Sequence, residues 1–379
     1  MIKIIRYKFN NLKNMNILNK RIYHSDYIIN KLPELYNEIY EFSLKNQSSV
    51  TINQLLKLSE MNYNDRINIS AKYLYKEIPI RLARRIKDLE KLPFGLSQTN
   101  GVCNVRKWYI QSFLDFRLYD EKEINNTTKF LNMIEKVYNR HNPTIITMAK
   151  GIHEISKMNK YNIENINDLL NRFFTSRIGI RVLLGHFIEL HKKTTNNYFG
   201  IICTNTNPKK ILLDAIEDAS YVALKNNNEI PKINIICEED IHICYIPNHL
   251  YYVLFEILKN SIGAVNRTPN ENKKIECLIR HDKNVVKIKI SDNGIGIKKD
   301  NMKNIWKYSY TTTKINLDEH FESDFSKEAP LSGIGYGLAM SKLYLEYFGG
   351  RIEIFSEYGK GTDVYIYLHK SGNFDEPLV

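Results

Sequence analysis

Apolar residues recur at three-and-four spacing through the first half of the chain. Leu32, Leu35, Tyr36, Ile39 and Tyr40 form one such set, and Leu131, Ile134, Val137 and Tyr138 another. That spacing puts each set on one face of an amphipathic helix. Pro79 and Pro93 punctuate the stretch and no alternating strand stands out in it, so residues 26–196 read as a helical bundle. From about His191 to Asn207 the residues turn polar, and the texture then changes. Ile275, Cys277 and Ile279 alternate with polar neighbours, as do Val286, Ile288 and Ile290, and 351–355 and 362–368 follow the same rule, which predicts strands. Helical runs interleave with them at 246–266 and 338–347. The predicted organisation is a helical half, 26–196, a mixed α/β half, 197–370, and a short tail, 371–379.

Composition narrows the class. At 379 residues the chain has room for two ordinary cores, and no stretch approaches the roughly 18 uninterrupted apolar residues of a spanning helix. Cys103, Cys203, Cys237, Cys244 and Cys277 are scattered, odd in number and form no CxxC pair, a pattern of buried thiols rather than a disulfide framework or zinc site. The formal charge of +12 suggests nucleic acid until its placement is considered. Lys3, Arg6, Lys8, Lys13, Lys20 and Arg21 precede the first acid, Asp26, and without them the charge falls to +6, dispersed among asparagines rather than gathered in a stripe. Nucleic acid is therefore not an expected partner. A basic, acid-free leader with interleaved apolar residues fits a mitochondrial transit segment, residues 1–25, with Arg21-Ile22-Tyr23 before His24-Ser25 as a processing point. The plainer reading of the leader is an Asn/Lys-rich extension.

The candidate chemistry lies in the second half. In the 246–266 helix, Leu250, Val253, Leu254, Ile257 and Leu258 share one side, while His249, Tyr252 and Asn260 fall within about 40° of Glu256 on the other. A carboxylate and an amide one turn apart on such an exposed stripe can work as a pair. The amide oxygen is a hard donor suited to Mg2+, and the carboxylate can take a proton from an attacking hydroxyl. Alone, the stripe is read more simply as a solvated face. Two glycine segments alter that. Asp292-Asn293-Gly294-Ile295-Gly296 closes a predicted strand, where an acid can accept the adenine amino hydrogen and glycines let the backbone approach the base. Gly333-Ile334-Gly335-Tyr336-Gly337-Leu338 feeds a helix, whose free N–H groups form an anion site. Its GxGxG spacing is not a dinucleotide fingerprint, and the chain contains no P-loop. Gly359-Lys360-Gly361-Thr362 then opens the last strand, either as a plain hairpin turn or with the Thr362 hydroxyl aimed at adenine beside Asp292.

The order Glu256-x-x-x-Asn260, Asp292-x-Gly294-x-Gly296, Gly333-x-Gly335-x-Gly337, Gly361-Thr362 resembles the motif series of the GHKL (Bergerat) ATPases. The rest of the chain resembles the mitochondrial 2-oxo acid dehydrogenase kinases within that superfamily. The resemblance is carried by 78–87 (IPIRLARRIK), Leu92-Pro93-Phe94, Arg140-His141-Asn142, Met148-Ala149-Lys150-Gly151, 176–181 (SRIGIR), 255–260 (FEILKN) and Tyr310-Thr311-Thr312. It implies a four-helix bundle joined to an α/β sandwich that holds ATP and Mg2+, with K+ as a further cation, and transfers phosphate to serine. In that family pattern Glu256 is the base, Lys259 an electrostatic contributor and Asn260 the Mg2+ ligand. Asp292, Gly294, Gly296 and Thr362 hold adenine, while Thr311, Thr312, Gly333, Gly335, Gly337 and Leu338 meet ribose or phosphate. The stretch from Lys314 to Ser332 is the lid. The implied substrate is the α-subunit of a mitochondrial 2-oxo acid dehydrogenase, and the implied partners are the lipoyl domain of the acyltransferase core and a second copy of the chain. The implied compartment is the mitochondrial matrix.

The sequence departs from the family in places. Tyr252 stands where several members carry histidine, Gly263 where a basic residue is usual, and no tryptophan follows Trp306. Tyr252 and the tail lean towards the branched-chain member. Two other functions are carried forward: a sensor histidine kinase, for which His141 lacks the expected acidic neighbour, and a catalytically inactive scaffold on the dehydrogenase core.

Overall fold

The computed structural model describes residues 25–93, 95–124, 126–157, 166–192, 197–237, 240–269, 271–311 and 334–379. The leader to His24, Phe94, Thr312, Gly333 and the predicted lid lie outside the described residues. Helix α1 (Ser25–Leu44) belongs largely to a unit that ends at Glu41; residues 42–379 form a second unit.

In that second unit the predicted periodicity becomes α2 (Ile52–Lys57), α3 (Tyr63–Glu90), α4 (Asn100–Arg117), α5 (Thr127–Arg140), α6 (Thr144–Lys157) and α7 (Ile166–Leu190). Helix α3 packs on α4 and α7, α4 on α6, and α5 on α7. Starts are set by side chains that accept otherwise orphan N–H groups: Asn62 takes the Asp65 N–H at 3.0 Å and Thr99 that of Val102 at 3.4 Å. Phe113, Phe116, Phe130 and Phe187 are buried between the helices, with Phe130 edge-on to Phe187 at 5.5 Å. Pro79 does not punctuate this half as expected, because it lies inside the continuous α3. A mid-helix proline costs about 3 kcal/mol. Burial of Ile78, Leu82 and Ile86 around it, at about 1.5–3 kcal/mol each, outweighs that cost.

The α/β half opens with β1 (Tyr198–Phe199) and β2 (Ile202–Thr206), then α8 (Pro208–Lys225), β3 (Lys232–Cys237), β4 (Ile243–Tyr245) and α9 (Pro247–Asn266). It continues with β5 (Lys274–His281), β6 (Val285–Asp292), α10 (Lys299–Met302), α11 (Gly337–Glu346), β7 (Arg351–Glu357) and β8 (Gly361–His369). Strands β1-β2-β4 form a small sheet, and β3-β5-β6-β8-β7 a larger one that is antiparallel except for the β3–β5 pair. The alternation read from the sequence is the register of the large sheet. Ile275, Cys277, Ile279, Val286, Ile288 and Ile290 all face inward, against α9, whose Leu250, Val253, Leu254, Ile257 and Leu258 are at most 1% exposed. Helices α8 and α11 flank α9. The fold is the expected helical half followed by a mixed α/β half, and among the described residues no helix is long and apolar enough to cross a membrane.

Contacts from α7 join the halves near the glycine loops. Tyr308 donates its N–H to Asn167 Oδ1 at 3.0 Å and its hydroxyl to Asn171 Oδ1 at 2.8 Å, both on α7. Phe174 of α7 lies against the rings of Tyr308 and Tyr336. Helix α7 thus holds the chain before the second glycine segment, at Tyr308, and within it, at Tyr336.

Candidate active site

The N-terminal end of α11 meets α9 at Glu256. Glu256 is 4% exposed, and its Oε1 takes a hydrogen bond from Lys259 Nζ at 2.7 Å. Its Oε2 lies so close to Gly337 that a Cβ there would sit 2.0 Å away. The carboxylate is therefore not on an exposed stripe, as its helical position suggested. Helix α11 returns from later in the chain and covers it, leaving Asn260, one turn on, exposed. A Cβ at Gly263 would meet nothing within 4 Å, so this departure from the family leaves open room beside the amide. The hydroxyl of Tyr252 is buried and has no hydrogen-bond partner among the described residues, with its ring 5.0 Å from that of Tyr344. Burial, then the nearby Glu256 charge, keeps this phenol protonated far above its usual range, so it can donate but not titrate.

Asp292 ends β6 opposite Thr362 of β8 and is 9% exposed. Its Oδ1 accepts the Gly294 N–H at 3.0 Å, and the Ser261 hydroxyl and Thr362 N–H also donate to the carboxylate. Desolvation outweighs those donors and raises its pKa to about 6. The loop after it is pressed between α9 and the β7–β8 turn. Ile295 N–H reaches Ala264 O at 3.2 Å, and Ile295 O receives Gly359 N–H at 2.8 Å. Gly296 has φ +64 with Glu357 O where a Cβ would go. Gly361 has φ +131, and a Cβ there would lie 2.0 Å from Asp292 O. Only glycine fits such backbone approaches. Thr362 Oγ1 lies 2.9 Å from Ser356 Oγ, which also accepts the Ile297 N–H at 2.8 Å.

The second glycine segment folds over 309–311. Gly335, φ +77, stacks on Tyr310 O, and Ser309 holds a left-handed φ of +61, an uncommon conformation away from glycine. Thr311 is half-buried in this turn, and Leu338 lies half-buried in the first turn of α11. Glu256 is thus brought against Lys259 and Gly337, and Asp292 against Gly294, Ser261 and Thr362, both groups touching α9, which also carries Asn260; Gly296, Thr311, Gly335 and Leu338 lie on the adjoining loops and helix start, while Thr312 and Gly333 lie outside the described residues. Sequence reading missed Ser261 and Ser356. Ser261 is a polar residue on the apolar side of α9, a signal that could have been used. Ser356 sits unremarked in a strand of mixed polarity.

His141 caps α5 and is 2% exposed, 2.9 Å from Ser112 Oγ through Nε2. Burial, then Arg177, Arg140 and Arg181, lowers its pKa to about 3. An imidazole enclosed in the helical half, with Nε2 against Ser112, is out of reach of a nucleotide, which argues against the histidine-kinase reading.

Two family models match the chain: "Mitochondrial branched-chain alpha-ketoacid dehydrogenase kinase" over residues 49–203 and "Histidine kinase-, DNA gyrase B-, and HSP90-like ATPase" over 245–372. Among curated relatives, the mitochondrial [pyruvate dehydrogenase (acetyl-transferring)] kinase of Arabidopsis thaliana is 35% identical over 91% of this chain and 96% of its own length. Human isozyme 4 of that kinase is 32% identical over 87% of this chain and 83% of its own, and human isozyme 3 is 32% identical over 87% and 85%.

Proposed function

The chain belongs to the mitochondrial 2-oxo acid dehydrogenase kinase family, and from that premise we propose that it phosphorylates a serine on the α-subunit of a 2-oxo acid dehydrogenase and so inactivates the complex. It is an ATP-dependent protein-serine kinase of the mitochondrial matrix. The observation that carries the mechanism is the buried Glu256–Lys259 pair beneath Gly337, within the cluster that also presents Asp292 and the exposed Asn260.

Lys259 holds Oε1 of Glu256, which fixes the side chain, and Oε2, against Gly337 where no Cβ stands in the way, is the oxygen that accepts the proton of the incoming serine hydroxyl. The residues fit a magnesium nucleotide. Asn260 offers an accessible amide oxygen, and the first turn of α11 offers backbone N–H groups at the positive end of the helix. Mg2+ on Asn260 would supply charge neutralisation at the phosphates. Asp292 accepts the adenine amino hydrogen, Thr362 with Ser356 faces the same edge, and Gly294, Gly296 and Gly361 let the surrounding loops close to backbone contact and hold Asp292 in place. Most of the rate then comes from alignment.

Asp292 gives this reading a pH signature. Its carboxylate must be ionised to accept without competing, and its pKa is raised to about 6. Affinity for ADP is therefore expected to fall as pH drops through about 6, in calorimetric titrations from pH 8 to 5. Purine riboside diphosphate, which lacks the amino group, should lose this dependence. Equal pH profiles for the two would remove Asp292 from adenine recognition.

The curated relatives make pyruvate dehydrogenase the first substrate to test. The branched-chain lean drawn from Tyr252 and the tail has the description of the helical-half model on its side, and those relatives against it. Labelled ATP offered with each purified complex should mark the α-subunit of one of them, on a serine whose phosphate survives acid. Acid-labile, alkali-stable label would favour the histidine kinase, and ATP binding with no transfer would favour the inactive scaffold.

For partners, we assign the lipoyl domain to the helical half and a second copy of the chain to the ATP-binding half. Supporting the latter, the outer sheet face carries an exposed Phe355 beside Tyr365, with Arg351 over Tyr367 at 4.1 Å.

A further inference from the structure

Away from the nucleotide site, polar side chains from three parts of the fold meet at one buried point. Arg81 of α3, 2% exposed, donates through Nε to Glu77 Oε1 at 2.8 Å. Its Nη1 and Nη2 donate to the two carboxylate oxygens of Glu376, at 2.9 and 2.5 Å. The phenol of Tyr347, 1% exposed, donates to Glu376 Oε2 as well. Room for this meeting comes from Gly179 of α7. A Cβ there would lie 2.4 Å from Tyr347 Oη, 2.7 Å from Arg81 Nη1 and 3.0 Å from Glu376 Oε2.

Glu376 reaches this point because the tail is stitched down along its length. Asn53 N–H donates to Gly372 O at 3.0 Å, Val50 exchanges hydrogen bonds with Glu376 at 3.1 Å in both directions, and Arg85 donates to an oxygen of Val379 at 2.8 Å. With Arg81 twice, Tyr347 and the Val50 N–H, the buried carboxylate is fully provided with donors. Buried ion pairs are weak evidence for stability, since apolar replacements often do as well. What this arrangement provides that an apolar contact would not is direction.

Tyr347 follows the last residue of α11, and Gly337 at the other end of α11 packs on Glu256. A ten-residue helix is a rod of about 15 Å, so a shift at one end is felt at the other. We propose that Glu376 is a positioning residue for the kinase reaction: by holding Arg81 and Tyr347 together, the docked tail sets where α11 lies over Glu256 and the glycine loop. The proposal rests on the reading of that site as the nucleotide and base site.

The test uses the full chain with Tyr347→Phe, which keeps the tail's bond to Arg81 but frees α11, and with Glu376→Gln. Single-turnover transfer at saturating Mg-ATP is expected to fall by about tenfold in both, because displacements near 1 Å are costly for phosphoryl transfer. Hydrogen exchange of the α11 amides is expected to quicken by about tenfold while β5 and β6 stay protected. Asn373→Ala, which removes only a surface contact of the tail with Asn53, should leave both readouts within about twofold. Unchanged α11 exchange and transfer in the two folded variants would overturn the proposal, as would faster exchange spread evenly over the protein, the mark of a purely structural role. If the unmodified protein transfers no phosphate, the site reading fails on its own, and α11 exchange still decides whether the tail holds the helix.

Discussion

Glu256→Gln is expected to bind Mg-ATP within about threefold of the unmodified protein and to transfer phosphate at least ~100-fold more slowly. Glutamine keeps the shape, so the close approach of Gly337 persists, and Lys259 can still donate to the side-chain oxygen. The basic lone pair aimed at the serine hydroxyl is lost. The change also leaves the Lys259 ammonium, 13% exposed, without its counter-charge, and a lower melting temperature should accompany it. Lys259→Met separates the two effects. It removes the charge partner while keeping the base, so it should share the lowered stability but retain far more transfer than Glu256→Gln. Direct measurement of ATP binding beside single-turnover transfer is what distinguishes a lost base from a lost pocket. Transfer at the unmodified rate in Glu256→Gln would refute the assignment of the base, and loss of binding in step with transfer would make Glu256 a structural support for α11.

The legible parts of the site were those in which spacing and chemistry coincide. Asp292 followed by glycines at two and four, and Gly361 beside Thr362, require particular backbone shapes at the end of a strand, and the register that pairs Asp292 with Thr362 brings the two motifs together. The strands of the large sheet were readable because one face is buried and the other is not, so hydrophobicity alternates. Strands β3 and β4 were not singled out: β3 is an edge strand with no fully buried residue, and β4 spans three residues. The burial of Glu256 could not be read from α9 alone. It depends on α11, which lies about 80 residues further along the chain. Pro79 misled for the same kind of reason, since packing on both sides of α3 overrode a local breaker. The meeting of Arg81, Gly179, Tyr347 and Glu376 leaves no periodic trace, because its members come from four separate segments and each is unremarkable in its own.

Asp292 carries the second large effect, and it should separate binding from stability. Asp292→Ala is expected to weaken ADP binding by at least ~100-fold: one charge-assisted hydrogen bond of about 1.5–3 kcal/mol disappears, and the adenine amino group is left unpaired in a dry slot at about 1–3 kcal/mol more. The fold should tolerate the change better than the burial of the residue suggests. A carboxylate whose pKa is about 6 in the folded chain, against 3.8 for an unperturbed one, favours the folded state most when protonated. Its contribution is fully present below pH 4, declines as pH rises through 6, and amounts by then to a loss of roughly 3 kcal/mol. Unfolding measured from pH 4 to 8 should therefore show the unmodified protein losing stability relative to Asp292→Asn across that window, while the variant binds ADP more weakly throughout. A group retained in ionised, buried form at that disadvantage is explained by what it binds. Asp292→Ala with unchanged ADP affinity would detach adenine from this end of β6, and a stability difference that does not vary with pH would show that the carboxylate is not held in the raised-pKa state on which the argument depends.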